Sequence, residues 1–192
     1  MPKPLLSAQE YLARERKAAF KSEFYRGEMF AMAGASWKHN LITANVASET
    51  QQQLKSGLCR VVAGDMRVKV DLTGLYTYPD VVVVCEEPQF EDNMFDTLLN
   101  PRVLTEVLSD STEKYDRGEK FKHYRQIASL QEVILVSQEE PYVERHVRQP
   151  NGDWLMTEFR GLDTTLSFTS IAVKIPLADI YQGVKFPKDA DR

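Results

Sequence analysis

The sequence predicts an α/β fold, with a mixed β-sheet flanked by helices in a single domain spanning residues 1–192. Three observations carry this. β-Branched apolar runs such as Val81-Val82-Val83-Val84 read as buried strands, and stretches free of Gly and Pro with helical spacing separate them. The length of 192 residues suits one compact core, and no internal repeat or linker divides it.

Taken in order, Ser7-Ala8-Gln9-Glu10 forms a capping box that opens a helix to about residue 19. Phe24 to Met32 reads as a hairpin-like pair around Gly27. Ser36 to Lys55 carries Trp37, Leu41, Ala44 and Ala47 at helical spacing and ends before Gly57, which predicts a long helix. Cys59 to Val70 alternates as a strand, and Tyr78 to Cys85 is expected to be a central strand. Residues 86–100 read as an acidic surface loop and Arg102 to Leu108 as a third strand. Ser111 to Ala128 is expected to be helical and Glu132 to Ser137 a fourth strand. Tyr142–Arg148 and Trp154–Arg160 pair around Asn151-Gly152, a strong hairpin signal. A short strand, Ile171 to Ile175, precedes a last helix from Leu177 to about Val184.

Composition narrows the function classes. The hydrophobic fraction of 43% and charged fraction of 27% are those of a soluble globular protein, and no apolar run is long enough to span a membrane. Met1-Pro2-Lys3-Pro4-Leu5-Leu6 lacks the apolar core of a secretory leader, so a cytoplasmic location is expected. Cys59 and Cys85, each inside an apolar strand-like run, read as two buried thiols of a reducing compartment; His and Cys lack the paired spacing of a zinc site. The net charge of −4 argues against a broad nucleic-acid footprint, although Lys114 to Arg125 holds five basic residues against two acidic ones.

Two carboxylates stand where carboxylates are costly. Asp80, after Pro79, opens an apolar strand, and Glu106 lies inside Val103-Leu104-Thr105-Glu106-Val107-Leu108. Each needs a partner there, either a metal or a basic group. Side chains on adjacent strands can converge on one cation, with the Val107 carbonyl as a third ligand, and oxygen-only ligation suits Mg²⁺ or Mn²⁺. On the following helix Asp116, Lys120 and Tyr124 share a face at i, i+4 spacing, which can aim a lysine at that centre. The bland readings are a strand cap for Asp80, a buried arginine partner for Glu106 and a solvated face for Lys120.

Pro79-Asp80, Glu106-Val107-Leu108-Ser109, Asp116 and Lys120-x-x-x-Tyr124 together resemble the Uma-type restriction endonuclease family of bacteria, which is similar to the PD-(D/E)XK nuclease superfamily. The resemblance runs from Gly27-Glu28 through Ser36 and His39 to the last helix. It implies a restriction-endonuclease-like fold and a metal-dependent endonuclease, with Asp80 and Glu106 holding Mg²⁺ or Mn²⁺ and Lys120 stabilising charge. Position 108 is Leu where the wider superfamily has its lysine, which implies that Lys120 on the helix replaces it. DNA as substrate and a homodimer follow from the same resemblance. Glu28, His39, Asp116 and Tyr124 are accessory candidates, with Asp116 and Tyr124 also explicable as structural. Two other readings stay open: a catalytically silent nuclease fold that binds nucleic acid or protein, and a hydrolase of small phosphate esters.

Overall fold

In the computed structural model, residues 5–186 are described; Met1–Pro4, read above for a leader, lie outside them. Helix α1 (Ala8–Glu15) starts at the expected capping box, with the Ser7 side chain accepting from the Glu10 N–H and Glu10 returning to the Ser7 backbone. Strands β1 (Ser22–Tyr25) and β2 (Glu28–Ala31) form the expected hairpin. Its two-residue turn puts Arg26 at φ 49° and Gly27 at φ 84°, the left-handed pair that matches strand twist. Helix α2 (Trp37–Leu54) fills the predicted span, capped by Ser36.

The run from Cys59 to Val70 is not one strand. It divides into β3 (Arg60–Ala63) and β4 (Arg67–Val70), which belong to different sheets. Gly64, at φ +89°, breaks the extended path, and alternation on either side of it hides the turn. Next come β5 (Leu75–Thr77), β6 (Val81–Val84) and β7 (Thr97–Leu98), the first and last of these unexpected. β8 (Val103–Leu108) follows as predicted.

The next helix is also interrupted. It consists of α3 (Glu113–Tyr115), a π-helical turn over Asp116–Lys120, and α4 (Phe121–Tyr124). β9 (Glu132–Ser137) and the hairpin β10 (Tyr142–Arg148) and β11 (Trp154–Arg160) match the expected bounds. The chain closes with β12 (Thr165–Ser167), β13 (Lys174–Pro176) and a four-residue α5 (Leu177–Ile180), shorter than predicted.

Two sheets organise the molecule. The larger has the order β11-β10-β9-β8-β6-β3; its β8–β9 pair is parallel and the rest antiparallel. The smaller runs β2-β1-β5-β4-β7, and β12 pairs with β13 separately. Both faces of the larger sheet are covered. Val81, Val83, Val103, Val107, Ile134 and Val136 pack under Ile42 and Val46 of α2. On the other face Val82, Val84, Leu104 and Leu135 meet Val68 and Leu75 of the smaller sheet, together with Tyr124. Such two-sided burial is why these strands read as continuous apolar runs.

The β3–β6 pairing also corrects the cysteine reading. Arg60 pairs with Val84, so Cys59 and Cys85 stand across from each other with Cα atoms 3.8 Å apart, and they form a disulfide instead of two thiols. The pairing was hidden with the Gly64 turn. No described helix is long and apolar enough to cross a membrane.

Candidate active site

The candidate residues gather where β6, β8 and the π-helical turn meet. Val81 pairs with Thr105, and the same register carried one residue outward sets Asp80 across from Glu106 on one face of the sheet. Asp80 is fixed from two directions: its Oδ2 accepts the Val107 N–H at 2.7 Å and lies 3.2 Å from His39 Nε2 at the start of α2. Lys120 descends from the π-helical turn, almost fully buried, with its Nζ 3.0 Å from Glu106 Oε1 and 3.4 Å from Asp116 Oδ1. The Tyr124 hydroxyl, one turn further on, donates to the same Glu106 oxygen. The π winding keeps Asp116 and Lys120 buried in a single turn, and such bulges recur at functional sites.

One member escaped the sequence reading. Glu23 of β1, not Glu28, reaches Lys120, with Oε1 at 3.3 Å from Nζ, and Thr77 of β5 donates to that oxygen. Glu28 pairs across the hairpin with Tyr25 and is exposed, away from the cavity wall. The signal for Glu23 was the one used for Glu106, a carboxylate inside the strand-like run Ser22-Glu23-Phe24-Tyr25.

Three carboxylates around one ammonium leave negative charge in excess. Burial pushes the Glu106 carboxyl up to about 8, with Asp116 and Asp80 adding to the rise while Lys120 and Tyr124 oppose it. Burial also raises the Asp116 carboxyl against the pull of Lys120. For Lys120 burial disfavours the charge, but Glu106, Tyr124, Glu23 and Asp116 outweigh it and keep the ammonium well above the usual lysine value.

Asp80, Glu106, Val107, Lys120 and His39 line a common cavity of about 1640 Å³. The protein contacts of Glu106 use Oε1 and those of Asp80 use Oδ2. One oxygen of each carboxylate therefore carries no hydrogen bond from the described residues. Among the described residues no three His, Cys, Asp or Glu side chains form a metal-holding group. A cation here would take those two carboxylates and complete its shell with backbone and water oxygens, a donor set that fits Mg²⁺ or Mn²⁺ better than Zn²⁺.

The family model of Uma2, described as "Putative restriction endonuclease", matches residues 8–178. The chain belongs to the Uma2 family. Two uncharacterized proteins of Synechocystis are similar to it: one is 37% identical over 88% of this chain and 96% of its own length, the other 34% identical over 96% of both. In fold, this Uma2 chain resembles the crystal structure of a "putative nuclease belonging to DUF820" from Anabaena variabilis. The TM-score is 0.73 at 19% identity, covering 90% of this chain and 96% of that one. The expected nuclease-like architecture is therefore the one this Uma2 protein has.

Proposed function

We propose that the chain is a metal-dependent endonuclease that hydrolyses phosphodiester bonds of DNA, with Asp80, Glu106 and Lys120 as its centre. The observation that carries this is the buried Lys120 ammonium held 3.0 Å from Glu106 on the wall of the cavity that Asp80 also lines. Asp80 and Glu106, with the Val107 carbonyl, would hold Mg²⁺ or Mn²⁺. Bound there, such an ion would supply Lewis-acid polarisation of a phosphate and a more acidic bound water. The chain's own residues supply the rest. Lys120 keeps a fixed positive charge where the phosphate gains negative charge, and in a dry site that charge acts strongly. Glu23 and Asp116 hold the lysine in place, Tyr124 orients Glu106, and His39 with the Val107 N–H orients Asp80.

The test is cleavage of plasmid, linear duplex and single-stranded DNA with Mg²⁺ or Mn²⁺, beside Asp80→Ala. Cutting that needs the metal and is lost in the variant is the expected result; equal cutting by the variant would refute the assignment. A second reading, a silent nuclease fold that binds nucleic acid or protein, draws on the engagement of Lys120 with three carboxylates. It requires that no substrate be cut while binding persists. The same centre would act within a homodimer, for which β11, the outer strand of the larger sheet with exposed Leu155 and Met156, offers a pairing edge. Light scattering at tens of micromolar should report a dimer.

A further inference from the structure

Four aromatic side chains stand out from the surface among the described residues: Phe20, Phe30, Trp37 and Phe95, at 65%, 50%, 81% and 65% exposure. Phe95 packs edge-on against Phe90. The other three come from separate parts of the chain, the turn after α1, strand β2 and the first position of α2, yet all line the cavity that holds Asp80, Glu106 and Lys120. None of the three packs against another aromatic ring among the described residues. Exposed rings cost free energy in water and add nothing to the core, and three of them lining one cavity fit a ligand with flat apolar faces.

We propose that this rim binds unpaired nucleotides, so that the site takes single-stranded DNA in preference to intact duplex. Duplex affinity comes mainly from cations neutralising phosphates. This chain has a net charge of −4, and of the cavity-lining lysines Lys21, Lys38, Lys120 and Lys185, the first three are already paired with carboxylates. Stacking makes no such demand. Every base has a π-face, but in a duplex those faces are hidden, whereas an unpaired strand offers them to Phe20, Phe30 and Trp37. The inference rests on the reading of this cavity as a nuclease centre, and binding can be measured apart from cutting.

The experiment uses the full chain in a chelator, so that nothing is cut, with Trp154→Phe to leave Trp37 as the sole fluorophore of its kind. A twelve-residue oligothymidine should quench Trp37 emission, and a duplex of equal length should bind at least tenfold more weakly. By anisotropy of a labelled oligothymidine, Phe30→Ala and Trp37→Ala should each weaken binding by roughly tenfold, with thermal midpoints unchanged. With few phosphate contacts, raising salt from about 50 to 200 mM should cost less than about tenfold. Equal or tighter duplex binding, unquenched Trp37, or alanine variants that bind normally would overturn the proposal. So would a dimer that dissociates on either substitution, because the rings would then belong to a second copy of the chain. Ring-dependent oligothymidine binding with no cutting in Mg²⁺ or Mn²⁺ would sink the endonuclease reading while leaving this one standing. Cutting of duplex without a single-strand preference would sink this one alone.

Discussion

Arg117 and Lys120 leave the same π-helical turn and enter different surroundings. The Arg117 side chain, 29% exposed, is paired with Glu113 at 2.7 Å and with Glu144 of β10, and Glu144 is also held by Tyr142 and His146. The Lys120 side chain, 5% exposed, sits among Glu23, Glu106 and Asp116, with Asp80 beside them. Around Arg117 water screens the charges, so an imbalance costs little. Around Lys120 there is little water, so the surplus of carboxylates persists until a proton or a cation relieves it. Charge excess kept in a buried cluster beside a cavity is the pattern that singles out a candidate functional site, which the solvated Arg117 pair lacks.

The largest effect should come from exchanging the two basic residues' fates. Lys120→Ala is expected to lower metal-dependent cleavage by about a hundredfold or more, the scale of removing one fixed charge-stabilising group. Arg117→Ala, which does not line the cavity, should leave the rate within a few-fold. The reverse pattern in a plasmid-nicking assay would hand the role to Arg117.

A smaller effect should distinguish the two clusters through metal linkage. Mg²⁺ at a hundred times its dissociation constant should stabilise the folded chain by about 2.7 kcal/mol, and Asp80→Ala should remove that gain. Glu144→Gln should keep it. Calorimetry with and without Mg²⁺ reads this directly, and an unchanged Mg²⁺ shift in Asp80→Ala would move the ion elsewhere.

The smallest effect concerns acid. Burial alone would raise the Glu144 carboxyl, but hydrogen bonds from His146, Tyr142 and Arg117 prevail and hold it down to about 2. A carboxyl lower in the folded than in the unfolded chain adds stability above its ordinary value of 4.5, and this is lost as pH falls towards 2. Glu144→Gln should flatten that part of the pH–stability curve and cost about 1 kcal/mol at neutral pH, because the network is partly solvated. An unaltered acid slope would show that Glu144 does not anchor the Arg117 network.

Which parts of this arrangement the sequence reveals depends on whether a residue's role is local. That Asp80, Glu106 and Lys120 come together was legible because a carboxylate within an apolar strand and an i, i+4 helical face are properties of a few neighbouring residues. The capping box at Ser7 and the turn at Asn151-Gly152 were legible for the same reason. Glu23 carried the same local signal as Glu106 but was passed over, and its partner Lys120 is not foreshadowed locally because it is supplied by a segment roughly a hundred residues later. The split at Gly64 was concealed by apolar alternation that continues through the turn, and the Cys59–Cys85 link was concealed with it. The π-helical turn was missed because α and π winding share similar local composition.

The parallel pairing of β8 with β9 means that Lys120 arrives on a crossover, and Glu23, its other partner, comes from roughly a hundred residues earlier. Contacts of such long sequence separation close late, after the entropy of the intervening loops has been overcome. By sequence separation Lys120 can meet Asp116 and Glu106 first, and the Glu23 brace is the long-range contact that completes the cluster.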